Sequence, residues 1–173
     1  MTTDVVIGLG ASIGDRLRQL RLAIRLLDTT PGVDVVATSR VWRTTPIGHA
    51  RGIFFNAAVG VSTTLQPRGL LVRCKAIEKR MGRRQGLRWG DRSIDLDILF
   101  FGRWQCCEAD MVIPHPEMMN RPFAWVPACE VAPGWIDPRT EQCLLDVPHG
   151  PLNMVAIDRL CGCSLADSDL SKY

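Results

Sequence analysis

The chain has 173 residues, 46% hydrophobic and 23% charged, with 21 Lys+Arg against 18 Asp+Glu for a formal net charge of +3. This is the composition of an ordinary globular domain, long enough to bury about 70% of its unfolded surface without a metal or disulfide staple, and it excludes a disordered or collagen-like chain. No apolar run reaches membrane-spanning length and the start Met1-Thr2-Thr3-Asp4 lacks the parts of a secretory signal, so the expectation is a cytoplasmic protein without a membrane partner.

The first apolar run, Val5-Val6-Ile7, ends in Gly8-Leu9-Gly10, and Gly14-Asp15 opens a segment with Leu17, Leu20, Ile24 and Leu27 at helical spacing. This predicts strand, glycine turn, helix. Pro31-Gly32 stops the helix, and Val33 to Trp42, rich in β-branched residues, reads as a second strand. Turn-forming residues from Thr44 to Gly52 mark a loop. Phe54 to Thr63 alternates, with Phe55, Ala57, Val59 and Val61 on one face and Phe54, Asn56, Ala58 and Gly60 on the other. Pro67 suits the first turn of a helix whose stripe is Leu70, Cys74, Ile77 and Met81, closed by Gly82. An arginine-rich loop follows, then a strand over Ile94 to Phe101 whose apolar length points to a central place in the sheet. Gly102 to Ile113 suggests a short hairpin. Short helices are expected after Pro116, after Arg121 and near Leu152 to Leu160, and Ala166 to Tyr173 reads as frayed. The order β-α-β-β-α-β predicts an α+β, ferredoxin-like sheet with helices on one face. Residues 1–173 read as one domain whose stretch from about 139 onward has no assignable role.

Asp95 and Asp97 alternate with Leu96 and Ile98, so both acids leave one face of their strand about 7 Å apart. Such a pair holds hard divalent cations, and neighbouring arginines can hold the phosphates those cations bridge. Paired acids can also simply blunt a sheet edge, but Arg92, three residues before Asp95, favours a polyanion site. Nine Arg/Lys between residues 68 and 92 meet only Glu78 and Asp91. Those on the helix are ordinary solvated charges, whereas Arg83, Arg84, Arg88 and Arg92 surround glycines and the acid pair.

His115, locked between Pro114 and Pro116 near Arg121, is a candidate phosphate ligand; His49 and His149 have no such company. Phe54 shares its strand face with Asn56, where a flat heteroaromatic ring can stack while the amide reads its edge. Phe123 is a second candidate ring, and Trp89 a candidate lid. The glycines from Gly8 to Gly14 are not a dinucleotide fingerprint, because Ile13 stands where its third glycine is required, and no Walker A sequence occurs. The seven cysteines form no regular framework and read as free thiols; Cys161 and Cys163 have no second pair at zinc-site spacing.

In order, Ile7-Gly8-Leu9-Gly10, Gly14-Asp15-Arg16, Arg43-Thr44-Thr45-Pro46-Ile47-Gly48, Phe55-Asn56-Ala57-Ala58, Ile77-Glu78, Arg88-Trp89-Gly90, Arg92, Asp95-Leu96-Asp97, Ile113-Pro114-His115-Pro116, and Arg121 with Phe123 resemble the 6-hydroxymethyl-7,8-dihydropterin pyrophosphokinases of folate biosynthesis. The resemblance runs from about Val5 to Pro133. It implies a ferredoxin-like fold and transfer of the β,γ-diphosphate of ATP to the pterin's hydroxymethyl oxygen, releasing AMP. By the same resemblance Asp95 and Asp97 hold two Mg²⁺ ions and work with Arg83 and Arg92 on the triphosphate. Arg84, Arg88, Trp89, Ile98, His115 and Arg121 would carry the nucleotide, with Glu78 nearby. Phe54 and Phe123 would sandwich the pterin, and Thr44, Pro46, Ile47 and Asn56 would read its edge. The implied partners are these two small molecules, with no nucleic acid, for a monomer or weak dimer. Departures from the family pattern are Ala11-Ser12, Lys75 in place of a common glutamine, Gln85, Asp91 and Val112. A nucleic-acid-binding ferredoxin-like module is the rival reading, although the aromatic signature of that class is missing; a family member that binds without turnover is the third.

Overall fold

The structure is a computed structural model and describes residues 1–45, 52–83, 92–146 and 154–159. In chain order the elements are β1 (Thr3–Ala11), α1 (Arg16–Asp28), β2 (Val33–Thr38), β3 (Arg40–Thr44), β4 (Phe54–Thr63), α2 (Pro67–Arg80), β5 (Asp95–Phe101), β6 (Cys106–Glu108), β7 (Met111–Ile113), α3 (Pro122–Val131) and β8 (Met154–Arg159). Six strands form one antiparallel sheet in the order β5-β1-β4-β3-β8, with β2 also paired to β4. The expected hairpin is present as β6 and β7, paired Cys106 to Ile113. No described helix is long and apolar enough to cross a membrane.

Local chemistry starts and stops the helices. Asp15 caps α1 by accepting the Arg18 N–H at 3.0 Å, satisfying one of the donors a helix start leaves over. Pro67 opens α2, and Gly82, at φ +78°, follows its end. Leu20, Ala23, Ile24 and Leu27 of α1 and Leu70, Cys74 and Ile77 of α2 are buried against Val5, Ile7, Leu9, Val59, Val61, Leu96 and Ile98. Each buried Leu, Ile or Val contributes about 1.5–3 kcal/mol, so this face carries most of the core. Burial pushes the Cys74 thiol up to about 12, which leaves it an inert packing group.

Helices lie on both faces rather than one. Trp125, Val126 and Ala128 of α3 pack on the opposite side with Val6, Ala58, Leu99 and Phe100. Beyond α3 the chain is pinned by Trp135, which stacks on Phe100 at 3.9 Å between ring centroids and donates its indole N–H to Gly102 O.

Several expectations are corrected. The run Gly8-Leu9-Gly10 is strand rather than turn, because β1 continues through it to Ala11. The second strand is two, broken at Ser39, whose buried hydroxyl takes the Ala58 N–H at 2.8 Å where the ladder is interrupted. Residues 116–120 form turns, and the helix comes only at Pro122. Met154–Arg159, expected as helix, is a strand because β3 offers it an unpaired edge and Val155 and Ile157 are β-branched.

Among the described residues β5 pairs only with β1, so the strand carrying the acid pair is an edge, not a centre. Its outer backbone groups are satisfied from elsewhere. Glu78 Oε1 accepts the Leu96 N–H at 2.8 Å, Lys75 Nζ donates to Leu96 O at 3.2 Å, and the His115 N–H donates to Leu99 O at 2.7 Å. These contacts occupy an edge that would otherwise invite another strand.

Candidate active site

On the α3 face, β1 presents Val6 and then no side chain at Gly8 and Gly10. In register, Gly8 lies between Asp97 and Ala58, and Gly10 between Asp95 and Asn56. Two missing side chains in the middle of three strands leave a cleft of about 560 Å³, the size of a small-molecule site. A side chain at either glycine would crowd the floor and make its neighbour shift. A Cβ at Gly8 would sit 3.2 Å from Leu99 Cδ2, and one at Gly10 3.2 Å from Asn56 Oδ1. With strands about 4.8 Å apart, the acid end and the amide end of the Gly10 row are separated by about 10 Å.

At the acid end, Asp95 and Asp97 both line the cleft, as alternation required. Asp95 Oδ1 lies 2.5 Å from Arg83 Nη1, and Oδ2 pairs with Arg92. Arg83 Nη1 is also 2.5 Å from Glu78 Oε2. Desolvation in the cleft, then the charge of Asp95, raises the Asp97 carboxyl above the ordinary range. Burial likewise raises Glu78 against the pull of Lys75. Arg83 is held above its usual value by Asp95 and Glu78, although burial opposes its charge.

His115 and Arg121 stand on the same wall. The Glu117 N–H donates to His115 Nδ1 at 3.2 Å, which assigns the proton of the neutral ring to Nε2 and leaves that atom as donor to a ligand. Burial, helped by Arg121 and opposed by Asp97, lowers the His115 pKa below the ordinary 6.5. Between these two values the unfolded chain binds a proton that the folded one refuses, so stability falls as pH drops through that window. An NMR titration should place the His115 midpoint below 6.5; a midpoint at or above that value contradicts the geometry.

At the amide end, Phe54 and Phe123 line the cleft with Asn56 and Thr44. Asn56 is 5% exposed and its Nδ2 donates to Thr44 Oγ1 at 2.8 Å. That bond fixes the amide so that its oxygen faces the Gly10 row.

Of the expected residues, the cleft brings together Thr44, Phe54, Asn56, Arg92, Asp95, Asp97, His115, Arg121 and Phe123. Glu78, Arg83 and Ile98 are not on its wall. Arg83 reaches the site through Asp95, Glu78 is buried behind β5, and Ile98 points into the helix-side core. Pro46, Ile47, Arg84, Arg88, Trp89, Cys161 and Cys163 lie outside the described residues. Leu99, Glu117 and Ala124 also line the cleft and were not anticipated; only Glu117, two residues after His115, carried any signal.

The sequence model of the 7,8-dihydro-6-hydroxymethylpterin-pyrophosphokinase (HPPK) family matches residues 6–133. The chain belongs to this family. It is 38% identical to a 2-amino-4-hydroxy-6-hydroxymethyldihydropteridine pyrophosphokinase of Synechocystis over 82% of its own length and 73% of that protein. A protein of the same name from Methylorubrum extorquens is 42% identical over 76% of this chain and 84% of the relative. A Plasmodium falciparum HPPK-DHPS triple mutant solved with pteroate superposes with a TM-score of 0.69 at 15% identity. That likeness covers 85% of this chain and 43% of the larger one, and it shows the fold. The HPPK match ends at residue 133, so β8 and the turns after α3 lie beyond it.

Proposed function

We propose that the chain transfers the diphosphate of ATP to the hydroxymethyl oxygen of 6-hydroxymethyl-7,8-dihydropterin and releases AMP, a step of folate biosynthesis. One observation carries the reading: the row Asp95, Gly10, Asn56 across three strands sets an acid pair among arginines at one end of a cleft that an amide and two phenylalanines also line. The β5-β1-β4-β3 order around the βαββαβ run supports grouping the sheet with the ferredoxin-like folds.

Asp95 and Asp97 fit Mg²⁺, because two carboxylates are the donor set this ion takes when substrate phosphates and water complete its octahedron. Two such ions, when bound, would neutralise the triphosphate and hold it in line. Arg83 and Arg92, already beside Asp95, turn to the phosphate oxygens, and His115 Nε2 donates to one of them. Phe54 and Phe123 stack the pterin, while Asn56 and Thr44 take its polar edge. The hydroxymethyl oxygen bonds to the β-phosphorus as the bond to the α-phosphate oxygen breaks, AMP leaves with that electron pair, and the hydroxyl proton passes to solvent. Positioning and charge neutralisation supply most of the acceleration, so no general base is assigned.

Protein, Mg-ATP and 6-hydroxymethyl-7,8-dihydropterin together should form AMP, and omission of any one should stop it. No pterin-dependent AMP from the folded protein sinks the proposal. Phe123→Ala, at the first turn of α3 where it supports little core, should weaken pterin binding about tenfold or more by removing one stacking face. Binding of ATP should change less than about threefold, as checked by calorimetry with each ligand. Equal losses for the two ligands would remove Phe123 from the pterin site.

A further inference from the structure

Lys75 is off the cleft wall but directly behind its acid end. Its Nζ lies 2.8 Å from Glu78 Oε1, 3.2 Å from Leu96 O and 3.7 Å from Asp97 Oδ1. Leu96 is the residue between the two acids, and Glu78 is 3% exposed, so the first two contacts tether the ammonium to fixed partners. Three carboxylates, Glu78, Asp95 and Asp97, here meet three cations, Lys75, Arg83 and Arg92. Among the described residues the cluster is balanced before any ligand arrives. A bare divalent ion entering it makes an excess of two positive charges, whereas the same ion carried by a triphosphate brings its own negative charge. The arginines can leave Asp95 for those phosphates. Lys75, bonded behind the strand, stays.

We propose that Lys75 is a specificity-determining residue that tunes the acid pair to a metal–triphosphate complex and against the bare divalent ion. The inference rests on the reading of Asp95 and Asp97 as metal ligands. A fixed unit charge about 5 Å from a doubly charged ion shifts its binding about tenfold or more, even at the screening of bulk water.

The test uses Mn²⁺ as the probe, with binding read by electron paramagnetic resonance on the whole chain. Without nucleotide, Lys75→Gln, which keeps a donor for Glu78 and Leu96 but drops the charge, should bind Mn²⁺ about tenfold more tightly than wild type. Lys75→Arg should bind like wild type. With a non-hydrolysable ATP analogue present, the difference should shrink below about threefold. Equal Mn²⁺ affinity of Lys75→Gln and wild type without nucleotide overturns the proposal, as does a difference of the same size with and without the analogue. Lys75→Met, which keeps the aliphatic stem, gives the same comparison should glutamine unsettle the fold. Asp97→Asn separates the two layers: loss of Mn²⁺ there with no effect at Lys75 defeats only this inference, and undiminished Mn²⁺ binding in Asp97→Asn defeats the metal reading beneath it.

Discussion

Asp97→Ala should lower pterin-dependent AMP formation at least about a thousandfold while the protein stays folded. The size follows from what the carboxylate is proposed to do: removing one preorganised electrostatic partner of a developing phosphoryl charge typically costs 10²–10³ in rate, and on the proposed function the lost group would also be one of two metal donors. The fold should survive because Asp97 is a half-exposed acid on the cleft wall, crowded by Asp95 rather than holding the core together. Its carboxyl is raised in the folded state, so the unfolded chain releases the proton first. Stability is therefore lost as pH rises from the ordinary carboxylate value through the raised one. Asp97→Asn, which has no such loss, should melt at the same temperature as wild type or higher at neutral pH in the absence of metal. Turnover retained at the wild-type rate in either variant would defeat the role assigned to Asp97.

Glu78→Ala should cost about 3 kcal/mol of stability, measured by urea unfolding, and should reduce activity without abolishing ATP binding. Glu78 accepts the Leu96 N–H of the acid strand and pairs with Lys75 and Arg83, which themselves reach that strand at Leu96 O and Asp95. Truncation orphans a buried N–H and leaves two cations without their shared partner, a combination in the range known for breaking a buried ion pair. Glu78→Gln should lie between, since it can still accept from Leu96. A Glu78→Ala protein as stable as wild type would mean that these contacts hold nothing together.

The site was more legible than its frame. The Asp95 and Asp97 pair, and Phe54 beside Asn56, follow from the two-residue period of a strand, which needs no knowledge of neighbours. The edge position of β5 was hidden because the groups that close it come from two other stretches of chain, Lys75 and Glu78 on α2 and His115 after β7. Apolar residues on both faces of that strand report two packed layers, not two flanking strands. Gly8 and Gly10 read as a turn because glycine is usually depleted in strands; here the need for an open floor overrode that preference. Residues 154–159 lacked a decisive local pattern, and the free edge of β3 decided their form. Glu78 was expected near the nucleotide, but the signal for its buried place was not read: an acid four residues after buried Cys74 falls on the apolar stripe of α2, where a charge needs partners.

The two sides of the sheet are unequally clothed. Two helices blanket one side, while α3 covers the other only as far as the cleft. On the proposed function, nucleotide and pterin would complete that second layer where no described helix covers the sheet. On this view the substrates act as removable core, and catalysis happens inside a packing layer that assembles and comes apart with every turnover.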